Sequence, residues 1–206
     1  MNLFKPEKTF FTSDTHFGHA NIIKYCARPF TSTEEMDKVL IENWNKKVPA
    51  DGLVYHLGDF AWGTIGYWER IREQLNGEII LIFGNHDDRF LSNERMRKLF
   101  KEVTSQKKVW FDKICIYMNH YPFLCFGGAY KGLDAVWQLF GHVHSNPRSK
   151  VGLDSQRLVN CFPTQYDVGV DNNNFTPISF DEVSKIITNQ QLSLGMYDKD
   201  NESLVE

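Results

Sequence analysis

Five short apolar runs in this chain each end abruptly in Asp, Asn, His or Gly. The runs have the length of buried strands and are rich in the aromatic and aliphatic side chains that strands favour. They cover residues 9–13, 53–57, 79–83, 114–118 and 136–140. Every run leads into residues that can turn a chain or bind an ion. We therefore expect a β-sheet whose strand ends form a functional site.

Helical patterns lie between several of these runs. Thr31 and Glu34 have the spacing of a capping box, and apolar residues follow them at helical intervals. A second helix is predicted over residues 65–75, where it meets Asn76–Gly77 and ends. Two more helices are predicted, one opening at Ser92 and one capped by Ser179 and Glu182.

The order of these elements predicts an α/β fold. Strands and helices alternate in the first half, whereas residues 108–170 are predicted to form consecutive strands. The core is therefore expected to contain a mixed sheet or two stacked sheets. A chain of 206 residues with no Pro/Gly/Ser-rich linker is expected to form one domain. We assign residues 1–188 to this domain and residues 189–206 to a polar C-terminal tail.

Charge, hydropathy and cysteine content narrow the class of protein. A net charge of −3 makes long duplex nucleic acid a poor candidate partner, because that binding depends on neutralising phosphates. The longest purely apolar run, residues 79–83, is far shorter than the ~20 residues of a membrane span. No secretory signal pattern opens the chain, and the four cysteines are expected to be buried thiols of a reducing compartment. These features predict a cytoplasmic protein with no membrane partner.

The polar residues after the apolar runs are candidates for one common site. In open α/β sheets the ligand crevice lies beyond the carboxyl ends of the strands. The candidates are Asp14, His16, Asp59, Asn85, His86, Asp87, His120, His142 and His144. Singly, most have an ordinary explanation, since Gly, Asn and Asp suit turns and a lone Asp-x-His recurs by chance. The His142-x-His144 pair is more informative, because alternate residues of an extended chain point the same way.

In order along the chain, these groups resemble the five-motif signature of the calcineurin-like metallophosphoesterase superfamily. They are Asp14-x-His16, Gly58-Asp59, Gly84-Asn85-His86-Asp87, Asn119-His120 and Gly141-His142-x-His144. The resemblance implies two packed mixed β-sheets flanked by helices in four α/β/β/α layers, with metals at the strand ends. Residues 12–19 and 167–171 resemble a compact bacterial or phage branch of the superfamily.

The same resemblance implies a role for each residue. Two divalent transition metal ions are expected, the first held by Asp14, His16, Asp59 and His144. The second would be held by Asp59, Asn85, His120 and His142, so that Asp59 bridges both ions. His86 would be catalytic and face the leaving oxygen, with Asp87 as its partner. Oxygen and nitrogen donors without thiolate favour Mn²⁺, with Fe, Ni and Zn as alternatives.

Phosphoester hydrolysis explains why such residues would be gathered. A phosphodiester repels hydroxide, and two ions about 3.5–4 Å apart clamp its oxygens and acidify a bridging water. The expected function is therefore hydrolysis of a small phosphodiester or nucleotide through a metal-bridging hydroxide. A phosphomonoesterase on the same site and a non-catalytic scaffold of the same fold are the alternatives.

Other classes of phosphohydrolase do not match this sequence. Protein Ser/Thr phosphatases carry an Asp-Arg pair after their Gly-Asp, where this chain has Phe60 and Ala61. Purple acid phosphatases place a metal-binding Tyr at the position of Trp62, which cannot bind a metal. The adjacent His86 and Asp87 also suggest an HD-type phosphohydrolase, but that fold is helical and the run before the pair is strand-like.

Several further residues near the motifs are open to two interpretations. His19 could contact a substrate phosphate or be a hydrogen-bonded loop residue. Seven aromatic residues could stack a nucleobase or fill the core and wall the cleft. They are Phe17, Phe60, Trp62, Tyr121, Phe123, Phe126 and Tyr130.

Overall fold

A computed structural model describes residues 5–131, 135–144, 158 and 160–193. The strands in these ranges are β1 (Thr9–Thr12), β2 (Leu53–His56), β3 (Glu78–Ile82), β4 (Glu102–Thr104), β5 (Gln106–Phe111), β6 (Ile114–Asn119), β7 (Val136–Phe140), β8 (Gln165–Asp167) and β9 (Ile178–Ser179). The α-helices are α1 (Ala20–Tyr25), α2 (Thr33–Lys47), α3 (Ile65–Arg72), α4 (Glu94–Arg97) and α5 (Phe180–Ser193).

The strands form two mixed sheets. The first has the order β4-β3-β2-β1-β9, in which β1 to β4 are parallel and β9 runs antiparallel to β1. The second has the order β5-β6-β7-β8, with β5 antiparallel to β6 and the other neighbours parallel. The predicted α/β fold of two mixed sheets flanked by helices is confirmed.

Alternating side chains divide the interior into layers. On β1, Phe10 packs in a cluster with Leu40 and Trp44 of α2, whereas Phe11 packs in a second cluster with Met118 of β6. Successive strand residues point to opposite faces, so one strand supplies both the helix-facing core and the core between the sheets. Helix α5 joins the second of these clusters. The outer face of the second sheet packs against Phe126 and Ala129.

One of the two predicted capping boxes forms as expected, and the other is shifted by one residue. The predicted box at Ser179 and Glu182 forms, since Ser179 N donates to Glu182 Oε2 (2.9 Å) and Glu182 N donates to Ser179 Oγ (3.3 Å). Helix α2 begins one residue later than its predicted box implies. Its cap is Ser32, whose Oγ accepts from Glu35 N at 3.2 Å.

Two other predictions need correction. The helix expected to open at Ser92 is the short α4, capped by the side chain of Asn93 instead. Helix α5 continues to Ser193, so the first five residues of the predicted tail are helical, and Gln190 Nε2 in this segment donates to the carbonyl oxygens of Pro163 (2.9 Å) and Gln165 (3.1 Å). The rest of the tail lies outside the described residues.

The cysteines and the helices bear on two further expectations. Cys26 and Cys115 are buried thiols, as expected, but Cys125 is exposed and Cys161 is partly exposed. The expectation of burial is wrong for these two because they lie in loops beside the second sheet rather than in its strands. None of the helices in the described ranges is long and apolar enough to cross a membrane.

Candidate metal centre

Strands from both sheets end at one edge of the molecule, and all seven predicted metal ligands follow those ends. Asp14 and His16 follow β1, Asp59 follows β2, and Asn85 follows β3. His120 comes directly after β6, and His142 and His144 follow β7. Because β1, β2 and β3 are mutually parallel, as are β6 and β7, their carboxyl ends share one edge of each sheet.

Five of these residues have left-handed backbone conformations. The φ angles are 57° at Asp14, 50° at His16, 56° at Asp59, 70° at His142 and 44° at His144. Such angles are uncommon for residues other than glycine and cost free energy, so they persist where the surrounding structure imposes them. Their concentration at one sheet edge indicates a site in which the strained backbone is kept because it directs the side chains toward one another.

The first half-site consists of Asp14, His16 and His144, whose ligand atoms all lie within 4.8 Å of one another. His144 Nε2 is 3.8 Å from Asp14 Oδ1. Asp14 Oδ1 and His16 Nε2 are buried, and neither finds a hydrogen-bond partner in the part of the chain that the structure describes. Buried polar atoms are normally paired, so these two donors fit a cation between them.

The second half-site consists of Asp59, His120 and His142, which also lie within 4.8 Å of one another, together with Asn85. Asn85 Oδ1 is 3.1 Å from His120 Nε2. Asp59 Oδ2 is 3.5 Å from His120 Nε2 and also 3.5 Å from His16 Nε2 of the first half-site. The carboxylate of Asp59 therefore lies between the two half-sites.

A buried ion pair supports the first half-site. The guanidinium of Arg28 donates to both carboxylate oxygens of Asp171 (2.9 and 2.7 Å) and to the carbonyl oxygens of Thr15 (3.0 Å) and Asp14 (2.6 Å). Asp171 Oδ2 is in turn 2.7 Å from His144 Nδ1. A carboxylate on one ring nitrogen orients the imidazole and leaves its other nitrogen for a metal.

Backbone groups support the second half-site. Asp87 is fully buried, and its carboxylate accepts from the N–H groups of Asp59 (2.7 Å), Phe60 (3.1 Å) and Gly84 (2.9 Å). His120 Nδ1 lies 2.7 Å from the carbonyl oxygen of Leu57. The carboxylate of Asp87 thus contacts the backbone of two ligand loops, and its role as the partner of His86 stays a prediction.

Position 84 requires glycine because ligand side chains approach its backbone closely, and not because the chain turns there. A Cβ atom there would collide with Asp59 Oδ1 and would lie 2.7 Å from His120 Cε1. Gly141 is packed in the same way against the side chains of Ser13 and Asp14. Both glycines let a strand end pass directly beside a ligand carboxylate, so the predicted turn role is only part of their function.

Residues 8–161 match the model of the calcineurin-like phosphoesterase family. The chain belongs to that family. This family and two of the three groups of candidate metal ligands agree with the resemblance drawn from the five motifs; the third group is Cys26, His144 and Asp171. The family implies a hydrolase that acts on phosphoesters.

Individual relatives of this phosphoesterase extend the comparison. The uncharacterized protein MJ1445 of Methanocaldococcus jannaschii is 37% identical over 182 residues, which is 87% of this chain and 91% of the relative. The crystal structure of AQ665, a protein of unknown function from Aquifex aeolicus, superposes with a TM-score of 0.65 at 27% identity, over 86% of this chain and 98% of that chain. A novel archaeal phosphodiesterase superposes with a TM-score of only 0.39 at 18% identity, over 67% of this chain and 74% of its own.

Burial and like charges shift the pKa values of the ligands in this phosphoesterase. Burial and the neighbouring Asp14 raise the pKa of Asp59 to about 7. Burial, followed by the nearby His144, lowers the pKa of His16 well below its usual value. Both shifts have the direction expected of groups gathered to meet a cation, because an ion would stabilise the ionised carboxylate and the neutral imidazole.

The ion pair produces the opposite shifts beside the first half-site. Burial by itself raises the pKa of Asp171, but Arg28 and the hydrogen bond with His144 hold it at about 2. Burial likewise lowers the pKa of His144, yet its hydrogen bonds with Asp171 and Cys26 bring it well above its usual value. Asp171 is therefore ionised at neutral pH and available as an acceptor for the imidazole.

The predicted catalytic residue His86 lies at the open rim of the centre. Its side chain is 37% exposed, compared with 2% for His16 and 1% for His120. Its ring contacts those of His16 (centroids 5.3 Å apart) and Trp62 (5.6 Å). Burial, then the nearby His120 and Arg89, lowers the pKa of His86. The side chain is thus accessible to a molecule bound at the centre.

His19 and Trp62 form one wall of this rim. Their rings stack at 4.6 Å with an angle of 12° between planes, and the guanidinium of Arg89 lies 4.1 Å from the centre of the Trp62 ring. His19 Nδ1 is 3.4 Å from His16 Nδ1, and burial and His86 lower the pKa of His19 to about 4. His19 thus has the contacts of a packed loop histidine.

The aromatic residues near the motifs divide into core and rim. Phe17, Phe60 and Phe126 are buried, which confirms the core interpretation for them. Trp62 and Tyr121 are 38% and 44% exposed, and Phe123 is partly exposed. The side chain of Tyr130 lies outside the described residues. Among the aromatic side chains that the structure describes, those of the second group are exposed enough to contact a substrate.

No sequence pattern identified three residues around the centre as individual candidates. Arg28 lies in a segment without a motif, and its partner Asp171 is 143 residues away, so no spacing could reveal their contact. Asp171 did belong to the segment 167–171 that resembles the family. His56, at the end of β2, is buried and lies 2.9 Å from Thr15 Oγ1, and burial lowers its pKa to about 3. It is a neutral structural histidine under the Asp14 loop.

Proposed function

We propose that this calcineurin-like phosphoesterase is a dinuclear metal-dependent phosphodiesterase that hydrolyses a small phosphodiester or nucleotide. The position of Asp59 carries the proposal, because one of its carboxylate oxygens is 3.5 Å from an imidazole nitrogen of each half-site. A carboxylate oxygen between the imidazoles of two half-sites suits a ligand shared by two cations. Membership of the family supports phosphoester hydrolysis as the chemistry.

The donors fit divalent transition metal ions. The unpartnered Asp14 Oδ1 and His16 Nε2 supply the first half-site with one charged and one neutral donor. The first ion would be held by Asp14, His16, Asp59 and His144, and the second by Asp59, Asn85, His120 and His142. Oxygen and imidazole donors favour Mn²⁺ among the borderline metals. When bound, two such ions neutralise phosphoryl oxygens and lower the pKa of a water molecule.

Other side chains of this chain would act on the substrate and on the ligands. We assign to His86 the donation of a proton to a leaving oxygen, and the 37% exposure of its side chain at the rim supports this role. Asp87 is a positioning residue, because its three backbone hydrogen bonds join the loop of Asp59 to the loop of Asn85. Asp171 positions His144 through Nδ1.

The first test replaces the shared ligand. Asp59→Asn should lower the Mn²⁺ content and abolish hydrolysis of bis-p-nitrophenyl phosphate together, because each ion loses a charged donor. Asp112→Asn is the matched control, since Asp112 is an exposed turn residue with a left-handed φ that Asn tolerates. Full metal content with near-normal turnover in Asp59→Asn would contradict the shared-ligand assignment.

The same purified protein also distinguishes the alternative functions. After removal and return of Mn²⁺, we expect hydrolysis of bis-p-nitrophenyl phosphate to exceed that of p-nitrophenyl phosphate. A reversed preference would identify a phosphomonoesterase on the same site. Stoichiometric metal with no hydrolysis of either ester would identify a scaffold.

The second test isolates His86 from the ligands. General acid catalysis is typically worth ~10²–10⁴ in rate and matters most for a poor leaving group. His86→Gln should therefore retain metal and reduce cleavage of a dithymidine phosphodiester much more than cleavage of bis-p-nitrophenyl phosphate, whose nitrophenolate leaves without a proton. Equal losses on both esters would assign His86 to electrostatic stabilisation, and loss of metal would make it a ligand.

A further inference from the structure

A groove of about 490 Å³ opens beside the second half-site. His142 forms one end of it, and the segment that follows His120 forms a wall with Tyr121, Phe123 and Leu124. Its volume lies within the range of small-molecule sites in proteins. The groove is therefore large enough to hold part of a substrate whose phosphate lies at the metal centre.

The groove is continuous with the metal ligands through Tyr121. The ring of Tyr121 contacts those of His120 (centroids 4.9 Å apart) and His142 (4.7 Å), both nearly edge-on. Tyr121 is nevertheless 44% exposed, and Leu124 is 84% exposed. A group attached directly to a phosphate at the second half-site would thus meet an exposed aromatic ring first.

The chemistry of the groove favours a flat, uncharged group. Among the described residues that line it, none is Lys, Arg, Asp or Glu, whereas the rim at Trp62 carries the Arg89 guanidinium. Aromatic and apolar walls suit a ring, since every base has a face that stacks on an aromatic side chain. The exposed amide of Asn160 adds a donor and an acceptor for the edge of such a ring.

We propose that this groove is a nucleobase subsite, so that the substrate is a nucleoside phosphodiester with its base against Tyr121 and its phosphate at the metal centre. This proposal rests on the proposed function for the position of the phosphate. An aliphatic ester group is the competing occupant, because Leu124 and Val143 would also accept it.

The test compares esters that differ only in the group for the groove. Thymidine 5′-(p-nitrophenyl phosphate), methyl p-nitrophenyl phosphate and octyl p-nitrophenyl phosphate share charge and leaving group. We expect kcat/KM of the Mn²⁺-loaded protein to be roughly 10- to 100-fold higher for the thymidine ester than for the methyl ester, as base stacking provides. An octyl ester that matches or exceeds the thymidine ester would overturn the nucleobase assignment.

Two variants locate the preference in the groove. Tyr121→Leu removes the ring but keeps apolar bulk, and Asn160→Ala removes the amide; both should reduce the ratio of thymidine to methyl turnover. Trp110→Leu is the control, because Trp110 is 58% exposed on β5, away from the ends of β6 and β7. A ratio that Tyr121→Leu leaves intact would overturn the proposal.

Binding without turnover separates this proposal from the proposed function. By calorimetry, the Mn²⁺-loaded protein should bind thymidine 5′-monophosphate at least about 10-fold more tightly than methyl phosphate, and Tyr121→Leu should reduce that difference. Hydrolysis of all esters at equal kcat/KM with equal binding would overturn the subsite alone. Tighter thymidylate binding by a protein that hydrolyses no ester would overturn the proposed function and support the subsite.

Discussion

The two half-sites have similar ligands but are supported in different ways. Behind the first, the Arg28–Asp171 ion pair is almost completely buried, with side chains 0% and 1% exposed, and it orients His144. Behind the second, Asp87 and the Leu57 carbonyl use backbone groups to hold the loops of Asp59 and His120. The first support is built from charges and the second from main-chain hydrogen bonds.

This difference determines what each half-site can tolerate. A buried ion pair is costly to break, because removing one partner leaves a charge without compensation. A carboxylate that accepts three N–H bonds loses part of its bonding when it is replaced by an amide. We therefore expect substitution or acid to destabilise the first half-site more than the second. The second half-site should respond more to ionisation of Asp59.

The largest expected effect follows removal of Arg28. Arg28→Met leaves Asp171 buried without its cation, so the free energy of unfolding should fall by about 3–5 kcal/mol. Urea unfolding of the metal-free protein measures it. Arg95→Met is the control, because the Arg95–Glu69 pair is largely exposed at Arg95 (67%) and should contribute less than about 1 kcal/mol. Similar losses in both variants would remove the distinction between the half-sites.

A smaller effect is expected on metal affinity when a carboxylate that supports a half-site is replaced by an amide. Partners of metal-binding histidines typically contribute 10- to 100-fold to affinity. Asp171→Asn should weaken only one of two Mn²⁺ binding steps by this factor, since His144 belongs to the first half-site. Asp87→Asn should weaken both steps, because the Asp59 loop that it holds supplies the ligand shared by the two ions, and calorimetric titration resolves the two. Equal weakening of both steps by Asp171→Asn would show that the supports are not separate.

A pH dependence of opposite sign is expected for the two carboxylates. The pKa of Asp171 is about 2 in the fold, below its unfolded value near 4, so its contribution is present above pH 4 and decreases as pH falls. That loss is about 1 kcal/mol by pH 3. The pKa of metal-free Asp59 is raised to about 7, so its contribution is present below pH 4 and is lost as pH rises toward 7.

Urea midpoints of the metal-free protein between pH 3 and 8 measure both dependences. Asp171→Asn should flatten the acid side of the profile. Asp59→Asn should reduce the slope between pH 4 and 7, where Asp87 also titrates because burial and the neighbouring Asp59 raise its pKa to about 7. Added Mn²⁺ should also reduce the contribution of Asp59 to this slope in the unsubstituted protein, because cations favour ionised Asp59. An Asp59→Asn profile parallel to that of the unsubstituted protein would contradict the pKa shift.

The accuracy of prediction varied with how local the determining forces are. The strand ends and the cap at Ser179 were predictable, because composition over a few residues decides them. Helix α4 was predicted at Ser92 but is capped by Asn93, since two neighbouring residues could each serve as the cap. The role of Asp87 was predicted from its neighbour His86, yet two of its three backbone partners come from the Asp59 loop, 28 and 27 residues away.

By itself, the sequence determined the α/β fold and the family, because both depend on strand-length apolar runs followed by polar motifs in a set order. It also identified the residues that the structure brings together as two candidate half-sites. Only the tertiary structure decided that Arg28 and Asp171 stand behind His144, and that Tyr121 faces a groove while Phe17 and Phe60 are buried. Charge pairing and exposure depend on segments far apart in the chain, and no local pattern records which of them meet.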